Sequence, residues 1–175
     1  MKIKCFSQYS QHGFTLIELL LVVVLMGAIA GISINSFMDY NRHQKFSRVV
    51  TNFVNDLNTA KARTISQVKP NVNGCNNPGN ILNGYSIDYK TNKYDLNVNC
   101  SGNPSKWTIS TTDISSTGVL IRRLPSPPGS PNGTVYFKVL TGSVTGDTNL
   151  RIYNSFGSQK NITITSVGVI TVSDP

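Results

Sequence analysis

At 175 residues the chain has room for one domain with a sizeable core and a further segment, not for several independent domains. Hydrophobic residues are an ordinary 39%, but they concentrate between Phe14 and Ile34, ahead of a stretch rich in Asn, Ser, Thr and Gly. The formal net charge is +8, and a chain beginning at Phe14 keeps 14 of the 16 basic residues against all 8 acidic ones, a balance of +6. Such a balance favours anionic partners in general. It marks no specific site, because no basic run exceeds the pair Arg122-Arg123.

The first element is a short polar stretch, residues 1–13, carrying Lys2 and Lys4 and ending at Gly13. An ordinary secretory signal is cut after its apolar run, at small residues. Here the small residue at a plausible junction, Gly13, comes before the apolar run. Cleavage there removes 1–13 as a leader and leaves the hydrophobic segment on the mature chain. Residues 14–34 would span roughly 32 Å as a helix, about the thickness of a bilayer core. The lysines ahead of it should hold that end in the cytoplasm and leave the rest exported.

Glu18 interrupts the apolar run. An acid at the centre of a membrane helix costs on the order of 2.5–3.5 kcal/mol, so it reads as functional unless it sits close enough to the interface to stay wet. The run Gly13-Phe14-Thr15-Leu16-Ile17-Glu18-Leu19 resembles the processing motif of type IV pilins and type II secretion pseudopilins. The resemblance implies cleavage after Gly13 by a prepilin peptidase and N-methylation of Phe14. It also implies a Glu18 carboxylate that meets the terminal ammonium of a neighbouring subunit. Pairing buried opposite charges is cheaper than leaving either alone, so Glu18 would set the assembly register. Gly27 and Gly31 form a small-xxx-small spacing suited to close helix packing or, equally, to helix flexibility.

No proline occurs between Phe14 and Lys69, and Pro70 is the first stop signal. Apolar residues recur at Phe46, Val49, Val50, Phe53, Leu57, Ala60 and Ile65, which predicts one continuous helix over 14–67 whose second half has an apolar stripe. Pilin-like chains often carry a proline near residue 35. Asn35-Ser36 stands there instead, a place for bending rather than a sharp kink.

Beyond Pro70 the period changes. The segment 73–79 is loop, and strands are predicted at 85–90, 93–99, 106–110, 119–123, 134–140, 150–154, 161–165 and 169–172, with 125–131 an exposed proline-rich connector. The pattern predicts an α+β fold, and the resemblance implies a pilin-like one: a long N-terminal helix, transmembrane in its first half and amphipathic in its second, packed on an antiparallel sheet head domain. Its parts are the leader 1–13, the transmembrane or filament-core helix 14–34, the amphipathic helix 35–69 and the head 70–175. Cys5 lies in the leader, so cleavage leaves Cys75 and Cys100, a pair that an oxidising compartment would join. That disulfide would contribute roughly 3–4 kcal/mol; two reduced thiols are the alternative.

The segment 56–64 and the ending, with a turn at Phe156-Gly157 and a glycine at Gly168, resemble the GspH/FimT branch of minor pilins and pseudopilins. Some members of that branch bind DNA through a C-terminal Gly-Arg-x-Arg. The corresponding Gly168-Val169-Ile170-Thr171 has neither arginine, which removes the groups that would contact phosphates. Arg122, Arg123, Arg151 and Lys160 are the remaining candidates for an anion contact. His43, in the helix between Arg42 and Gln44, reads as a surface histidine, and Asp147 reads as a turn residue. No catalytic arrangement, metal-ligand cluster or cofactor motif is evident.

The reading is a structural subunit, a minor pilin or pseudopilin, anchored in the inner membrane with a cytoplasmic N-terminus and then built into a pilus or pseudopilus. Its expected partners are other such subunits, the prepilin peptidase and an inner-membrane assembly platform. A second reading is a filament-displayed module that binds DNA or a surface ligand. A third is an anchored domain that never polymerises.

Overall fold

The capping of one long helix frames the N-terminal half of the chain. In the computed structural model, which describes residues 13–72, 75–102, 105–124 and 132–175, helix α1 runs without interruption over Leu16–Ile65. The side chains of residues 30–36 lie outside the described residues, and with them the surroundings of Gly31. Thr15 caps the start, its Oγ1 accepting from the Glu18 N–H at 3.3 Å. At the other end the helix stops before Pro70 is reached. Gln67 takes a left-handed φ of 53°, the Gln67 N–H reaches Thr64 O and the Val68 N–H reaches Arg63 O. Those two bonds are a Schellman cap, made here with glutamine where glycine is usual.

The chain divides into two units, one ending at Asn41 and the other Arg42–Pro175. In the first, apolar side chains are exposed on all sides of the helix, from Phe14 at 77% to Ile29 at 66%. Among the described residues no helix is both long and apolar enough to cross a membrane. The expected span 14–34 runs into residues 30–36, outside the described side chains.

In the second unit the stripe Phe46, Val49, Val50, Phe53, Leu57 and Ala60 is buried in a single core, as the 3.6-residue period requires. Nine strands are found among the described residues: β1 Leu82–Tyr89, β2 Lys93–Cys100, β3 Lys106–Asp113, β4 Val119–Arg123, β5 Gly133–Lys138, β6 Val144–Gly146, β7 Asn149–Asn154, β8 Gln159–Ile164 and β9 Ile170–Ser173. They form two antiparallel sheets, ordered β3-β2-β1-β5-β6 and β4-β7-β8-β9. The expected antiparallel head is thus present, split into two sheets, and β6 is a strand where the sequence suggested only a turn. The proline-rich 125–131 lies outside the described residues, as do Asn73 and Gly74 of the loop before β1.

Alternation fixes which face is inward. Tyr85, Ile87 and Tyr89 of β1 and Tyr94, Leu96 and Val98 of β2 are buried, as are Ile121, Leu150, Ile152, Ile162 and Ile164 of the smaller sheet. The ring of Tyr94 meets that of Phe53 edge-on at 5.0 Å, and its hydroxyl donates to Asp56 on the helix at 2.8 Å. Cys75 and Cys100 are joined by a disulfide, their Cα atoms 5.6 Å apart, which ties the loop after α1 to the end of β2.

Candidate functional site

The N-terminal segment concentrates the residues singled out from sequence. Gly13 precedes the helix, and no described residue lies within 4 Å of where its Cβ would be. Phe14 is exposed, and Thr15-Leu16-Ile17-Glu18 places Thr15 at the cap and Glu18 three positions into the first turn. That spacing is the Ser/Thr-x-x-Glu signature of a helix start, a second meaning of Glu18 beside the membrane and assembly roles expected of it. Its position also sets a carboxylate beside the positive end of the helix dipole. Glu18 is exposed and forms no ion pair among the described residues. Gly27 faces open space.

An apolar surface that surrounds a helix cannot be content in water. The chain thus presents at one end a helix start with a single acid, set in an exposed apolar surface.

The head domain contains a second cluster, which sequence reasoning missed. Asp147, between β6 and β7, is largely buried and accepts from the Tyr89 hydroxyl at 2.8 Å, the Thr134 N–H at 3.1 Å and Arg123 Nη1 at 3.0 Å. Burial, then the bond to Asp147 and its charge, push the Tyr89 phenol well above its ordinary range. Tyr94 is raised in the same way, by burial first and by Asp56 after it. Groups so displaced do not exchange protons near neutrality; they brace the fold. Asp147 joins a residue of the smaller sheet, Arg123, to two of the larger, Tyr89 and Thr134.

The four basic candidates do not form one patch. Arg122 and Arg151 are cross-strand partners in the β4–β7 register. Arg123 is turned to Asp147, and Lys160 pairs with Asp174 at 2.6 Å. His43 Nδ1 lies 3.5 Å from the Ser158 hydroxyl, both groups being exposed, which is too long and too open for an activated nucleophile. Among the described residues no group of three or more His, Cys, Asp or Glu side chains is placed to hold a metal.

Comparison with known proteins points to the same end of the chain. Residues 9–34 match the family model of the prokaryotic N-terminal methylation motif. Two fimbrial proteins of Pseudomonas aeruginosa are each 40% identical over 60 residues, 34% of this chain and 38% of theirs. The matched region thus spans well under half of those relatives' length. No solved structure matches the chain.

Proposed function

The chain carries the N-terminal segment of the type IV pilin superfamily, and from that premise we propose that it is a structural subunit of a pilus or pseudopilus, assembled through its N-terminal helix. The observation that carries the reading is the methylation segment itself, with one carboxylate, unpaired among the described residues, in an otherwise apolar exposed surface. In this proposal a prepilin peptidase cuts after Gly13 and Phe14 becomes the N-methylated terminus. Residues 14–34 hold the chain in the inner membrane, N-terminus cytoplasmic, until an assembly platform moves it into a filament. The unit Arg42–Pro175 is the exported head.

The Glu18 carboxylate then accepts the terminal ammonium of the next subunit. Two charges leaving water together are stabilised only as a pair, so the contact selects one axial register. Gly27 and Gly31 let neighbouring helices approach. The β7–β8–β9 meander, with its turn at Phe156-Gly157, supports placing the head in the GspH/FimT branch, where minor pilins and the H-type pseudopilin both belong. No enzymatic step is assigned to the chain.

Mass spectrometry of the chain recovered from sheared filaments tests the proposal. The expected N-terminus is a methylated Phe14; any other terminus overturns the processing step. Glu18→Ala is expected to lower incorporation roughly tenfold or more, with the membrane pool intact. Normal incorporation of that variant would overturn the assembly role of Glu18.

A further inference from the structure

The basic side chains of the four-stranded sheet fall into two groups. Arg123 and Lys160 each meet a carboxylate. Arg122 and Arg151 do not, although they stand directly opposite one another across β4 and β7 and therefore project from the same face. Like charges in that relation destabilise a sheet, and among the described residues neither arginine is in an ion pair.

Neutral groups orient both. The Arg122 guanidinium lies 4.9 Å from the centroid of the Tyr153 ring. Arg151 Nε donates to Asn161 Oδ1 at 2.9 Å. Stacking on a ring fixes the plane of a guanidinium without consuming its N–H donors, and Arg122 Nε, buried, makes no hydrogen bond to any described residue. A depression of about 240 Å³, lined in part by Asn149, Asn161, Thr163 and Ser173 and by neither arginine, is linked to the pair through Asn161, which accepts from Arg151. The strand registers Asn149↔Thr163, Arg151↔Asn161 and Asn161↔Ser173 place these amides and hydroxyls on the face of the two arginines.

We propose that this face is a binding site for a single phosphate or sulfate group, free or as the ester of a small polar molecule. Arg122 and Arg151, opposite one another in the strand register, would bring several N–H donors to one tetrahedral oxyanion, and charge-assisted bonds of that kind are about twice as strong as neutral ones. The bound charge relieves the repulsion that the register imposes. Asn149, Thr163 and Ser173 supply neutral donors and acceptors for the rest of the ester. An extended polyanion such as duplex DNA fits less well. It needs a line of free cations, and Arg123 and Lys160 are already held by Asp147 and Asp174. The site is independent of how the N-terminal helix assembles, so its failure leaves the filament reading untouched.

Arginine side-chain nitrogen–proton spectra of the full chain in zwitterionic detergent, titrated with sodium phosphate against sodium chloride of matched ionic strength, test the site. The expected result is a saturable shift of the Arg122 and Arg151 Nε signals with phosphate and none with chloride. R122Q and R151Q should each weaken the response about tenfold or more, the loss expected for a charge-assisted contact, while R48Q, on the exposed helix face, keeps the wild-type response. Equal responses to phosphate and chloride in the wild-type chain overturn the proposal whether or not the variants fold. So does a duplex oligonucleotide that binds about a hundredfold more tightly per phosphate with steep salt dependence, since that is the behaviour of an extended polyanion surface.

Discussion

At Gly133 the lack of a side chain is what admits the Asp147 carboxylate to the Tyr89 hydroxyl. A Cβ there would stand 1.9 Å from Asp147 Oδ2 and 2.3 Å from the Tyr89 oxygen. Gly133→Ala is therefore expected to destabilise the head by about 1–3 kcal/mol, the usual range for an overfilled site, read as a lower denaturant midpoint. Removing the acceptor instead, with Asp147→Ala, strands the Tyr89 hydroxyl and the Thr134 N–H and should cost about 2–3 kcal/mol. The raised phenols make a second expectation. Tyr89 and Tyr94 hold their protons more tightly folded than unfolded, so their contribution is complete below the unfolded value near pH 10 and declines as pH rises beyond it. Alkaline titration of thermal stability should show that decline, and Tyr89→Phe should flatten it; an unchanged slope in the variant would assign the decline elsewhere. None of this was legible in the sequence. The hydrogen-bond partners of Asp147 lie 58, 24 and 13 residues away, and a lone acid in a Thr-Gly-Asp-Thr turn looks the same with or without them.

Elements were legible in proportion to how local their causes are. The stripe from Phe46 to Ala60 states its period along one helix, and those side chains are the ones buried. Phe53, fully buried and edge-on to Tyr94, should cost about 3–5 kcal/mol as Phe53→Ala, whereas an exposed neighbour such as Asn52→Ala should cost little; equilibrium unfolding of the two variants makes the comparison. Pro70 predicts a helix end near Gln67, whereas α1 ends at Ile65, where the Schellman cap closes it before the proline is reached. The division into two sheets was not legible. It depends on β1 pairing with β5 across β4, a strand that belongs to the other sheet. Nothing in the alternation of either strand names its partner. Three-residue β6 gave too short a pattern to register, and its Gly146, with φ of 96° and Thr134 O where a Cβ would be, reads as a turn from sequence for the same reason that it works as a strand end.

On the scale of the molecule, the informative end of the chain and the well-packed end are different ends. The methylation segment was recognisable because its chemistry is written in consecutive residues, 9–34, and needs no fold to be read. The oxyanion face needed the β4–β7 register before Arg122 and Arg151 became neighbours. The disulfide belongs to this scale as well: replacing Cys75 and Cys100 together by serine should lower stability by roughly 3–4 kcal/mol, measurable by denaturant unfolding with and without reductant.

That bond also has a mechanical meaning. In the filament proposed for this chain, a subunit would bear tension through α1, a continuous helix whose last turn is followed ten residues later by Cys75. Without the bridge, the covalent path from the helix would run the whole way from Ile65 to Leu82 before reaching β1, and until that segment drew taut the load would fall on the packing of the apolar stripe. With it, a covalent path leads from the helix, through a short loop, into β2 at an inner position of the larger sheet. Traction on the helix is then shared among hydrogen-bonded strands instead of being concentrated at their surface.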